Sequence, residues 1–117
     1  MRKKYTGGCH CGAVRYEVEA DLSSAIECNC SYCSQKGLVL TFVPGDAFRL
    51  LAGEKDLTDY RFHTKKIAHL FCRHCGVQSF GRGARDDGTP TVAINVRCLD
   101  DVDLTALKPR PFNGKDM

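Results

Sequence analysis

Seven of the eight cysteines in this 117-residue chain fall into three short clusters, and that grouping limits the possible folds more than any other feature. Cys9 and Cys11 have one residue between them and Cys72 and Cys75 have two; Cys28, Cys30 and Cys33 form a C-x-C-x-x-C triple, and Cys98 stands apart. Two intervening residues let a chain turn so that both sulfurs reach one ion at about 2.3 Å. Gly76, straight after Cys75, tolerates the left-handed backbone such a turn needs. In a straight strand residues i and i+2 lie about 6.6 Å apart, too far for one zinc. Cys9 and Cys11 therefore need a bend, which Gly7, Gly8 and Gly12 permit. Two pairs distant in sequence, each beside a strand-like segment, make a closed Cys₄ zinc site. Plain buried cysteines are the competing reading, and they have no reason to fall at knuckle spacing.

Cys28, Cys30 and Cys33, in the stretch ECNCSYCSQKG, then supply three ligands where a closed tetrahedral site needs four. The fourth position is open to Cys98, to a histidine, or to nothing in the protein. Three protein ligands with a free position is the pattern of a catalytic zinc; closure by Cys98 or His63 would make a second structural site. Cys98 follows Val92, Ile94 and Val96 in alternating phase, which reads as a buried small residue. His10 and His74 sit between ligands and are expected to face outward. His63 and His69 lie in strand-like stretches and read as ordinary histidines.

The context favours metal over disulfides. The N-terminal MRKKYTGGCHCG begins basic with no apolar run behind it, so no signal peptide is expected. No stretch approaches the roughly 18 apolar residues of a membrane span. The expectation is a cytoplasmic, reducing setting, where clustered cysteines are more often metal ligands. The formal charge of +3 hints at nucleic acid. Seven thiolates and two Zn²⁺ would bring the chain to neutrality, so charge gives that partner no support. No membrane or nucleic-acid partner is expected.

The length suits one domain spanning 1–117, with 43% hydrophobic and 26% charged residues, a globular balance. Val14, Tyr16 and Val18 alternate with Arg15, Glu17 and Glu19, a half-buried strand. GLVLTFV (37–43) ends at Pro44-Gly45 and reads as another. AFRLLAG (47–53) and LTDYRFH (57–63) flank a polar turn and read as a hairpin. IAHLF and VQSFG suggest a second hairpin with Cys72 and Cys75 at its tip. TVAINVRCL (91–99) is the last strong strand. One helical turn or so is expected around 31–36, a polar loop over 81–90, and an irregular tail from about 108. Seven to nine short strands make the domain mainly β.

GGCHCGAVRYEVE, CNCSYC, FCRHCGVQSF, INVRCLDD and PFNG, in that order, resemble the glutathione-dependent formaldehyde-activating enzyme family, which includes centromere protein V. The resemblance covers nearly the whole chain. It implies a mainly β, Mss4-like ("β-tent") zinc-binding fold built from short antiparallel sheets. It also implies two Zn²⁺ per chain: a structural ion on Cys9, Cys11, Cys72 and Cys75, and a catalytic ion on Cys28, Cys30 and Cys33. Asn29 stands where the family often has His, and PFNG is not followed by the family's usual Trp; the resemblance implies substrate contact at both positions.

Three thiolates on Zn²⁺ make a weak Lewis acid, poorly suited to water activation but well suited to a fourth sulfur, which loses its proton on coordination. The family's reaction, addition of glutathione to formaldehyde to give S-hydroxymethylglutathione, fits that chemistry and is formally that of a carbon–sulfur lyase. Lys36 and Arg73 are the basic residues nearest in sequence to pair with glutathione's carboxylates, although solvated surface charge is the more common fate of such residues. The alternative is a zinc-stabilised binding or interaction module without catalysis. Against it, the chain carries no basic tail and little beyond the zinc domain. A nuclease would need carboxylate clusters, and Asp86-Asp87 and Asp100-Asp101 read as turns.

Overall fold

The structure is a computed structural model and describes residues 2–62 and 65–114. Its strands form two sheets. The smaller has β1 (Lys3–Gly8), β2 (Arg15–Ala20) and β5 (Phe48–Ala52) in the order β1-β2-β5, all antiparallel. The larger runs β10 (Arg110–Phe112), β3 (Ile26–Cys28), β4 (Val39–Pro44), β9 (Pro90–Asn95), β8 (Phe80–Ala84), β7 (Ala68–Cys72) and β6 (Leu57–Tyr60). The mainly β expectation holds. One pairing departs from the antiparallel rule: β10 lies parallel to β3, so the larger sheet is mixed.

The core sits between the sheets because β2 alternates as its sequence demands. Tyr16, Val18 and Ala20 are buried, whereas Arg15, Glu17 and Glu19 turn away. Tyr16 is fully buried, its ring 5.1 Å from Phe48 and 5.6 Å from Phe80. Its hydroxyl donates to the Ser79 carbonyl at 3.0 Å, so the buried polar atom is satisfied. Val43, Val92 and Ile94 complete the larger sheet's inner face.

Four expectations are corrected. Segments 47–53 and 57–63 do not pair with each other: β5 joins β2 in the small sheet and β6 joins β7 in the large one. Their polar turn is a 3-10 turn, Glu54–Asp56, that carries the chain between sheets. The loop expected over 81–90 is shorter, because β8 runs to Ala84 and pairs with β9 out to Pro90. The tail expected to be irregular contains β10. Segment 91–99 is a strand only to Asn95, after which Val96–Cys98 is a 3-10 turn. The short helix appears where expected, as α1 (Ser31–Lys36), closed by Gly37 at φ +64°. Among the described residues no helix is long and apolar enough to cross a membrane.

Candidate metal centres

The tip of the β1–β2 hairpin and the tip of the β7–β8 hairpin meet, bringing Cys9 and Cys11 to Cys72 and Cys75. Both tips turn through left-handed glycines, Gly12 at φ +85° and Gly76 at φ +79°, as the knuckle reading required. The four sulfurs lie within 4.8 Å of one another. A tetrahedron with Zn–S bonds of about 2.3 Å has S···S edges of about 3.8 Å. The structure has 3.7 Å between Cys9 and Cys11 and 3.6 Å between Cys11 and Cys72, so the donor set fits zinc before any ion is considered. Backbone N–H groups point at two of these sulfurs, from Val14 to Cys9 at 3.3 Å and from His74 to Cys72 at 3.4 Å. Such donors stabilise thiolates and fix their direction.

The second group gathers Cys28 at the end of β3, Cys30 as the N-cap of α1, and Cys33 in its first turn, again within 4.8 Å. Cys30 Sγ accepts the Cys33 backbone N–H at 3.3 Å, and Cys28 Sγ accepts that of Cys30 at 3.5 Å. A helix start is the local reason the triple converges: C-x-x-C across an N-cap returns both side chains to one side. Among the described residues no fourth Cys, His, Asp or Glu ligand atom joins this group. Cys98 is elsewhere, half-buried with its thiol toward the Gln78 carbonyl at 3.8 Å. Burial, together with Cys9 and Cys75 nearby, pushes that thiol up to about 11. His63, the other candidate for closing the triple, lies outside the described residues.

Without a cation, each group is electrostatically frustrated. In the four-sulfur group the Val77 N–H outweighs burial and draws Cys75 down to about 6. An Ala13 N–H lowers Cys11, but burial and neighbouring sulfurs outweigh it and push that thiol up to about 11. In the triple, burial raises Cys30, yet the backbone N–H groups of Cys33 and Tyr32 and the adjacent thiols hold it below the usual range. Cys33 is driven up by burial and by the same neighbours. One thiolate forms readily and the next is opposed by it. A dication at the centroid removes that opposition, which is the chemical reason both donor sets suit Zn²⁺.

The remaining sequence candidates are dispersed. His10 is exposed, and His74 bonds Asp56 at 2.8 Å away from the sulfurs. The His69 ring lies 4.4 Å from that of Tyr32, tilted against it, and burial lowers its pKa. Asp100 is tied to Arg15 and Thr6, a structural role. Lys36 Nζ lies over the rings of Tyr32 and Phe71 at 5.5 and 5.1 Å, and Arg73 pairs with Asp56 at 3.7 Å. Neither lines the cleft that holds Cys28 and Cys33.

What sequence reasoning missed comes from far along the chain. β10 places Phe112, Asn113 and Gly114 against the triple: Asn29 N–H donates to the Phe112 carbonyl at 3.1 Å, and the Asn29 side-chain amide to Asn113 at 2.9 Å. Tyr32, between Cys30 and Cys33, stacks with Tyr60 and Phe62, and its hydroxyl donates to the side chain of buried Gln78. Beside Cys28 and Cys33 lies an open hollow of about 390 Å³ that Arg97 also lines. No sequence signal placed Arg97 there.

Comparison with known proteins agrees with this geometry. A crystal structure of a Rhodobacter sphaeroides protein superposes with a TM-score of 0.80 at 33% identity, covering 91% of this chain and 97% of that one. Residues 4–112 match the family described as glutathione-dependent formaldehyde-activating enzyme. That span contains both sulfur groups and the hairpins that bring them together, and the chain belongs to the glutathione-dependent formaldehyde-activating enzyme family.

Proposed function

We propose that this protein is a cytoplasmic, zinc-dependent carbon–sulfur lyase-type enzyme that acts on the adduct of a small thiol and an aldehyde, with glutathione and formaldehyde as the leading pair. The observation that carries this is a three-thiol group set on an open hollow, apart from a four-thiol group gathered between hairpin tips. In this reading Cys9, Cys11, Cys72 and Cys75 hold a structural Zn²⁺, and Cys28, Cys30 and Cys33 hold a second. That second ion, when bound, supplies a soft site at which a further thiol ligand stays deprotonated. Family membership supports the glutathione and formaldehyde assignment, and eight unpaired cysteines suit a reducing compartment.

The reaction balances simply. A carbon–sulfur bond forms between the thiol sulfur and the carbonyl carbon. The carbonyl π pair moves to oxygen, which takes a proton from water, and the thiol proton leaves to solvent. The chain's residues bind and orient; no cysteine attacks the aldehyde. The hollow beside Cys28 and Cys33 admits the thiol.

Exchange NMR on an equilibrium mixture of glutathione and formaldehyde tests the reading, with zinc-loaded wild type and Cys30→Ser. Wild type should carry two zinc ions per chain and speed interconversion; the variant should carry one and leave the rate at background. If wild type with both ions leaves the exchange rate unchanged, the lyase reading fails for this pair and the binding-module alternative gains.

A further inference from the structure

Resting on the reading above, we propose that Arg97 is the specificity-determining residue that binds a carboxylate of the thiol substrate.

Arg97 lies 64 residues beyond Cys33 in sequence, yet both line the same hollow. Its backbone is held firmly. Arg97 sits in the 3-10 turn Val96–Cys98, whose N-cap Asn95 accepts the Arg97 N–H at 3.2 Å. Asn95 is buried and donates its side-chain amide to the Gln78 carbonyl at 2.9 Å. Val96 beside it is fully buried, so the turn cannot drift, and Arg97 alone of the three is exposed. The guanidinium is thus presented from a rigid base, which lowers the cost of ordering it around a ligand.

The charge is also unused. Arg15, Arg49, Arg61, Arg73 and Arg82 each have a carboxylate partner; of Arg2, Arg85, Arg97 and Arg110, which have none among the described residues, only Arg97 lines the hollow. Arg97 has no ion-pair partner among the described residues, although Glu27 lines the same hollow. A cation and an anion that share a cleft without meeting are complementary to a zwitterion whose own charges are separated. A peptide thiol such as glutathione, with carboxylates and an ammonium on either side of its sulfur, has that form. Arginine binds a carboxylate through two parallel N–H donors, a match that lysine does not reproduce. A hollow of about 390 Å³ is in the size range of small-ligand sites.

The test separates this contact from sulfur ligation by using S-methylglutathione, which keeps both carboxylates and has no free thiol. NMR titration of the zinc-loaded full chain should show binding, with Kd raised about tenfold in Arg97→Ala, the effect of losing one charged hydrogen-bonded contact. Arg97→Lys should recover part of it. Esterifying the glycyl carboxyl should weaken wild type by a similar factor and leave Arg97→Ala little changed, which assigns the glycyl end. If that coupling instead appears on removing the γ-glutamyl residue, the other carboxylate is the partner. Coupling to neither, or wild-type affinity in Arg97→Ala, overturns the proposal while exchange catalysis by wild type would leave the lyase reading standing. A wild type that neither binds S-methylglutathione nor catalyses exchange overturns both.

Discussion

Gly114 is where a single added methyl group reports on the site. A Cβ built there falls 2.5 Å from Cys28 Sγ and 3.4 Å from Cys30 Cβ. The first distance is about 1 Å or more inside ordinary van der Waals separation of roughly 3.5–4.0 Å. Gly114→Ala therefore imposes an overlap of about 1–3 kcal/mol, the usual scale of overpacking. What holds the segment in place is of similar size. Arg110 N–H donates to the Ala25 carbonyl at 3.0 Å, and Asn29 donates to the Phe112 carbonyl and to the Asn113 side chain. These three hydrogen bonds at about 0.5–1.5 kcal/mol each amount to roughly 1.5–4.5 kcal/mol, before the β10–β3 ladder is added and the entropy of ordering the strand is subtracted. The overlap is thus relieved by β10 lifting from β3, not by unfolding the core between the sheets. Two readouts follow. Hydrogen-exchange protection of the Asn29 amide should fall about 5- to 150-fold while amides of β2 and β9 keep theirs. Zinc held by the triple should be lost to a competing chelator about tenfold more readily, because Asn29 and β10 no longer brace Cys28 and Cys30. If Gly114→Ala leaves both the Asn29 amide and chelator competition unchanged, the tail is not a brace and the reasoning is wrong.

Two stability predictions rest on other contacts. Tyr16→Phe removes one of two donors to the Ser79 carbonyl, which keeps the Asn95 N–H at 3.1 Å, and should cost about 0.5–1.5 kcal/mol, read as a lower urea midpoint at unchanged slope. Asp100 is held below the usual carboxylate range by its bond to Arg15, then by Thr6. A depressed carboxyl pKa stabilises the fold above the ordinary value near 3.8 and loses that contribution as pH falls further. Both partners are over a third exposed, so Asp100→Asn should remove under about 1 kcal/mol at neutral pH and flatten the acid limb below pH 4. An acid limb identical to wild type would rule out the Arg15 pair as its source.

The legible parts of this chain were those in which neighbours in sequence are neighbours in space. Cysteine spacing and the glycines behind it marked both knuckles, and Gly12 and Gly76 adopt the left-handed conformation that spacing requires. The alternation through Tyr16 and Val18 marked β2 and its inward face. The turn of helix at 31–36 was readable because an N-cap cysteine and a C-terminal glycine bracket it.

The errors share one cause. A polar turn between two strand-like runs signals a hairpin, but Gly53 packs so closely on Ala13 and Val14 that the chain is directed from one sheet to the other. In β8, Gly81 and Gly83 leave no side-chain period to read, and the strand exists because its neighbours pair with it. β10 has three residues including a proline, too little for any pattern; it is a strand because β3 offers it an edge. Sequence by itself marked the candidate ligands, since thiols at C-x-C and C-x-x-C spacing converge locally, whereas the meeting of Cys9 and Cys11 with Cys72 and Cys75 was decided by the fold. Only the tertiary structure decided what surrounds the three-thiol group, placing Arg97, Gly114 and Gln78 near Cys28, Cys30 and Cys33. Those contacts span 45 residues or more of chain, and the burial energy that closes such loops is shared across the whole core, with no local signature.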